Sequence, residues 1–152
     1  MSKARMVCKY WLPLGVWMLL IFLGSSDTRS NARSSRIIGP IVRWLAPDIS
    51  EAALERIVFR VRKCAHLTEY AVLAWLAWRA WRKPAKADTR PWRWTEFGLA
   101  MVIVTLYAAS DEFHQMFVKD RMASGWDVLL DACGGASGLL VVWSLGKRRN
   151  RW

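Results

Sequence analysis

Residues 126–146, WDVLLDACGGASGLLVVWSLG, form a run of 21 residues whose only charges are Asp127 and Asp131. As a helix rising about 1.5 Å per residue, such a run spans about 30 Å, the thickness of a bilayer's hydrocarbon core. Both acids fall in its first third, and Trp126 and Trp143 stand near its ends. Three other stretches are as apolar: Tyr10–Gly24 (YWLPLGVWMLLIFLG), Ala65–Trp81 and Trp94–Ser110. All are close to the ~20 residues a span needs, and flanking Trp with snorkelling Arg complete the shorter ones. The expected fold is all-α: a polytopic membrane protein, a four-transmembrane-helix bundle with spans near 10–24, 65–81, 94–110 and 126–146, in one domain covering 1–152.

The composition is consistent with this. Hydrophobic residues make up 54%, while 23 Lys and Arg give a net charge of +11. A basic, Trp-rich chain raises the question of nucleic acid, and the positions of its 11 Trp answer it. Trp11, Trp44, Trp81, Trp92, Trp94, Trp126 and Trp143 lie near segment ends, where an aromatic belt meets the membrane–water interface. A bilayer is therefore the expected partner and nucleic acid is not. Cys8, Cys64 and Cys133 have no metal-binding spacing and read as small buried hydrophobes. The first apolar run follows Lys3, Arg5 and Lys9 as a signal peptide would. It lacks an A-x-A-like cleavage site, and three further spans follow, so it is expected to be retained.

With four spans and the amino end inside, the N-tail, the 82–93 linker and the C-tail share one side. They carry 13 Lys and Arg, counting Arg79, against Asp88 and Glu96, whereas the other side balances ten bases with ten acids. The dense RKPAKADTR and KRRNRW segments place both termini in the cytoplasm, here of a bacterial plasma membrane. Anionic headgroups would suit these basic tails. The external loop Ser25–Lys63 opens with SSDTRSNARSS, expected to be irregular. Asp48 or Ser50 then caps a helix with Glu51 or Glu55 in its first turn. Apolar Ala53, Leu54, Ile57, Val58 and Val61 make it amphipathic, an interfacial helix lying on the membrane and running into the second span.

Ionisable groups in a span cost a few kcal/mol, so each needs a reason. Lys63, His66 and Tyr70 share one helical stripe at the start of the second span, beside Glu69. The third span ends in Ser110, Asp111, Glu112, His114 and Gln115. The fourth begins with Asp127 and Asp131, and Gly134 and Gly138 continue that face, where small residues let another helix approach closely. Alternating spans bring all of these, with Ser25 and Ser26, to the same extracytoplasmic end. Singly each has a bland explanation, such as a helix cap, a solvated loop start or packing; their convergence is the signal.

The same residues resemble the VanZ-like family, named for a membrane protein linked to reduced susceptibility to the glycopeptide teicoplanin. RKCAHLTEYAVLAW and LYAASDEFHQMFVKDRMASGWDVLLDACGGASG carry the likeness. They match a basic residue before A-H-x-x-E-Y (Lys63, Ala65, His66, Glu69, Tyr70), then S-D-E-x-H-Q (Ser110, Asp111, Glu112, His114, Gln115). Arg121, Asp127, Gly134 and Gly138 follow, and Ser25-Ser26 match a serine motif after the first span. The chain departs from the family at Lys119-Asp120-Arg121, where P-G-R is usual, and at Asp131, where Asn is common. The resemblance implies a topology and a link to the cell envelope and antibiotic resistance, with no settled reaction.

Three functions remain open on these residues. An enzyme acting on a lipid or lipid-linked envelope substrate would use His66, Glu69, Asp111, Glu112 and His114 as acid/base groups. Lys63, Tyr70, Gln115, Arg121 and Asp127 would contact its substrate, Lys63 and Arg121 holding a phosphate. A metal variant of this enzyme is open, since two His and several carboxylates suit Zn²⁺ or a harder divalent cation. The spacing is not H-E-x-x-H, so no metal ligands are assigned and the cofactor is unknown. A non-catalytic protein would use the same cluster for recognition or as a structural network. Ion or proton transport is weakest, since the third span (FGLAMVIVTLY) offers little to line a path, although an oligomer of four-span chains is compatible with a pore.

Overall fold

The computed structural model describes residues 2–26, 30–85, 88–117 and 124–152, and all regular structure among them is helical. α1 (Lys3–Met6), a π-helical turn (Val7–Trp11) and α2 (Leu12–Ser26) run together. Then come α3 (Ser30–Leu45), α4 (Glu51–Arg82), α5 (Trp94–Gln115) and α6 (Gly125–Arg148). The π-turn has a local cause. Pro13 has no N–H to donate to the Lys9 carbonyl four residues back, and the ladder is wider there. Arg79 Nη1 donates to that carbonyl at 3.0 Å, tying α2 to the end of α4.

Among the described residues two helices, Ala4–Ser25 and Gly125–Arg148, are long and apolar enough to cross a membrane by length and composition. Only 17% and 22% of their most apolar windows are buried, so neither is the sheltered core helix of a soluble domain. α4 and α5 contain the other two expected spans, and neither meets the same measure of length and apolarity.

The helices alternate in direction. Ser25 at the end of α2 meets Asp111 and Gln115 at the end of α5, and Lys63 of α4 meets Asp127 at the start of α6. At the opposite end Tyr10 donates to the Pro84 carbonyl at 3.0 Å. Between the ends lies an apolar centre in which Leu73, Ala74, Ala77, Ala100, Val104 and Leu139 are wholly buried. α4 and α6 approach most closely at Gly134 and Gly138, as expected from the small-residue face. A Cβ on Gly134 would lie 2.6 Å from the Leu67 carbonyl oxygen, and one on Gly138 2.7 Å from the Ala71 Cβ.

Two expectations need correction. The stretch expected to be irregular is helical from Ser30, because Ile37, Ile38, Ile41, Val42 and Leu45 recur at helical spacing. α3 is thus the separate amphipathic helix. The one expected after Pro47 runs into the second span as expected: it is the first third of the 32-residue α4. Ser50 is its N-cap, accepting from the Ala53 N–H at 3.4 Å, and nothing between Glu51 and Arg82 breaks the helix. The three cysteines are exposed, not buried. They sit on the outer surface of the bundle, where an apolar run is as apolar as on its inner face.

The basic end is the more tightly bonded. Arg82 is fully buried and donates to Asp88 Oδ2 at 3.0 Å, Glu96 Oε2 at 3.1 Å, the Pro91 carbonyl at 3.1 Å and the Arg90 carbonyl. Its guanidinium also lies 5.5 Å from the Trp78 ring centroid and 5.3 Å from that of Trp152. Trp152 reaches there because Gly146 has no side chain; a Cβ would overlap the indole. One buried cation thus fixes the α4–α5 linker and the C-terminus together.

Candidate functional site

The polar end is assembled from four helices. Ser25 at the last turn of α2 donates from Oγ to Asp111 Oδ2 at 2.9 Å and accepts from Gln115 Nε2 at 2.7 Å. Gln115 also donates to Asp111 Oδ2 at 3.0 Å. All three are buried, so the network is shielded and its bonds count for more than in water. It rests on the spacing Tyr107, Asp111, Gln115, one turn apart on α5. Tyr107 extends this stripe inward, its hydroxyl donating to the Met18 carbonyl of α2.

α4 supplies the next side. Lys63 Nζ pairs with Asp127 Oδ1 of α6, both partly buried. Asp127 is therefore not a simple cap: Ser124 occupies the N-cap position and Asp127 pairs sideways. His66 Nδ1 lies 3.8 Å from Glu69 Oε2, within ion-pair range but beyond a hydrogen bond. Trp17 Nε1 of α2 donates to the Glu69 carbonyl at 2.9 Å, fixing the height of α2 against α4. Glu112 Oε2 accepts from the Ser124 N–H at 2.8 Å, a carboxylate at the positive N-terminus of α6. The His114 ring lies 4.6 Å from that of Phe22, centroid to centroid, on the side of α5 facing α2.

Two polar atoms in this region are buried without a hydrogen-bond partner among the described residues: the Tyr70 hydroxyl and Asp111 Oδ1. Tyr70 is wholly buried and Asp131 nearly so. Left without a partner, buried polar atoms cost about 1–3 kcal/mol each, so the Tyr70 hydroxyl can still donate and Asp111 Oδ1 can still accept a hydrogen bond.

Of the expected site residues, Asp111 and Gln115 share one network with Ser25, and Lys63 and Asp127 form a pair. Glu112 is engaged with the start of α6, and His66 and Glu69 are neighbours on α4. His114 packs its ring against Phe22. Arg121 and the side chain of Ser26 lie outside the described residues. No three His, Cys, Asp or Glu side chains among the described residues are grouped to hold a metal ion. Tyr107 and Trp17 were not anticipated. The i, i+4 spacing of Tyr107 with Asp111 would have identified the first, while nothing local marks Trp17.

A family model described as VanZ/LLP1 matches residues 10–146. No curated protein and no solved structure matches the chain. The match runs from the head of the first apolar run to the end of the last and includes every residue of the polar end described above. The chain belongs to the VanZ/LLP1 family.

Proposed function

We propose that the protein is a four-span protein of a bacterial plasma membrane, both termini cytoplasmic, whose outer-face polar site binds or acts on a lipid or lipid-linked cell-envelope component. The observation that carries this reading is that α2, α4, α5 and α6 all deliver polar side chains to one end of a bundle with an apolar centre. Family membership supports the link to the membrane, the envelope and glycopeptide susceptibility. α4 extends about 48 Å at about 1.5 Å per residue, more than a ~30 Å core needs. Its first turns, with α3, then stand at the outer interface around the site. The apolar centre counts against transport, because a permeating ion needs polar groups along its way.

Glu112 separates chemistry from recognition. Glu112→Gln keeps an oxygen to accept the Ser124 N–H but removes a group able to exchange a proton. If the site performs acid/base chemistry, Glu112→Gln abolishes the glycopeptide phenotype as fully as Glu112→Ala. If it only binds, Glu112→Gln is tolerated and Glu112→Ala is not. Lipid analysis of purified protein tests the reading as a whole. An envelope lipid retained by wild type should fall about tenfold in an Asp111→Ala/Glu112→Ala variant, equivalent to about 1.4 kcal/mol of lost affinity. Identical lipid content and phenotype in wild type and the double variant would refute it.

A further inference from the structure

A cavity of about 280 Å³ opens at the basic end, between the last turns of α4 and α6. Its walls include Trp78, Val142, Leu145 and Trp152, and its rim carries Arg79, Arg149 and Arg151. Asp88 also borders it, but that carboxylate already accepts from Arg82 and Arg90. The rim therefore presents uncompensated positive charge above an apolar floor. A second observation points the same way. Trp78 is 4% exposed, and its indole N–H has no hydrogen-bond partner among the described residues. A buried, unpartnered donor in the wall of a cavity that three arginines also line suits an acceptor oxygen carrying negative charge.

We propose that this cavity is a binding site for an anionic glycerophospholipid, distinct from the polar site at the other end. The phosphate lies among Arg79, Arg149 and Arg151, and the glycerol with the first methylenes occupies the apolar floor. At about 280 Å³ the cavity is just below the usual ~300–1,000 Å³ of ligand pockets, enough for a headgroup and the start of a chain. The remaining acyl chain follows the outer surface of α6, where Leu145 and Val141 are exposed. Basic pockets between helices at a membrane's cytoplasmic side hold anionic headgroups in this way. The inference rests on the membrane reading above, and it commits to lipid rather than free anion because the lining is mostly apolar.

The test is native mass spectrometry of full-length protein in detergent, with phosphatidylglycerol or phosphatidylcholine added, for wild type and an Arg149→Gln/Arg151→Gln variant. Arg79 is left intact because it also bonds the Lys9 carbonyl. Wild type should retain phosphatidylglycerol at least fivefold above phosphatidylcholine, and the variant should lose that preference while its thermal midpoint is unchanged. Leu145→Trp, which fills the floor without altering charge, should also lower phosphatidylglycerol occupancy. Equal occupancy by the two lipids in wild type, an unchanged preference in the arginine variant, or displacement of the lipid by millimolar inorganic phosphate would overturn the proposal. Recovery of the protein in carbonate-washed membranes reports embedding separately, so failure of the lipid site is distinguishable from failure of the membrane reading.

Discussion

Replacing Gly134 and Gly138 by alanine, singly and together, probes the contact that holds α6 against α4. At Gly138 a new Cβ would lie 2.7 Å from the Ala71 Cβ and 2.8 Å from its Cα. At Gly134 it would meet the Leu67 carbonyl oxygen at 2.6 Å and Cα at 2.9 Å. Backbone atoms cannot rotate away, and carbon atoms rest about 3.5–4.0 Å apart, so the helices must separate by about 1 Å. Overpacking against backbone falls in the upper part of the usual range, about 2–3 kcal/mol, and the helix propensity gained over glycine returns about 0.5–1, leaving about 1–2.5 kcal/mol of destabilisation. The two sites are one turn apart and demand the same displacement, so the double variant should cost less than the sum of the singles. Gly98 on α5 is the control. Nothing lies within 4 Å of a Cβ built there, so Gly98→Ala should stabilise by about 0.5–1 kcal/mol. Reversible unfolding in mixed micelles gives all four values. The separation also reaches the polar end, since Lys63 is one turn before Leu67 and Asp127 about two turns before Gly134, so the Lys63–Asp127 pair should loosen. A neutral Gly134→Ala/Gly138→Ala variant, or a Gly98→Ala loss as large as theirs, would refute the reasoning.

Two further perturbations test the two ends. Hydrogen bonds from Arg90, opposed in part by burial, hold the Asp88 carboxyl well below the usual carboxylate range. A depressed folded-state pKa contributes stability that is complete above the unfolded value and lost as pH falls below about 4. Acid unfolding in detergent should show this loss, and Asp88→Asn should be less stable at neutral pH with a flatter acid limb; an unaltered acid profile would show that Asp88 does not carry the effect. At the other end, Ser25→Ala and Gln115→Ala should each cost about 1–2 kcal/mol and couple by more than about 0.5 kcal/mol, because both meet on Asp111 Oδ2. Strict additivity in a double-mutant cycle would mean that the three side chains do not act as one network.

Helicity, the four apolar runs and the gathering of polar groups at one end were legible in the sequence. Each is written in local periodicity or in the alternation of direction that successive helices impose. The close approach at Gly134 and Gly138 was legible for the same reason, since two glycines one turn apart mark one face. Other features were decided only by the tertiary structure. Ser25 meets Asp111 and Gln115 across some 90 residues of chain, and Lys63 chooses Asp127, 64 residues away, over groups nearer in sequence. Arg82 reads as one more cation of a basic linker, yet it is the buried centre of the opposite end. Pairings between elements leave no periodic trace; they depend on which faces oppose once the helices pack. Whether a cysteine on an apolar run faces inward or outward escapes the sequence too, because in this bundle both directions are apolar. From the sequence the polar end is a set of residues expected at one membrane face. Packing makes it a Ser25–Asp111–Gln115 network, a Lys63–Asp127 pair and two atoms without a hydrogen-bond partner among the described residues, Tyr70 Oη and Asp111 Oδ1.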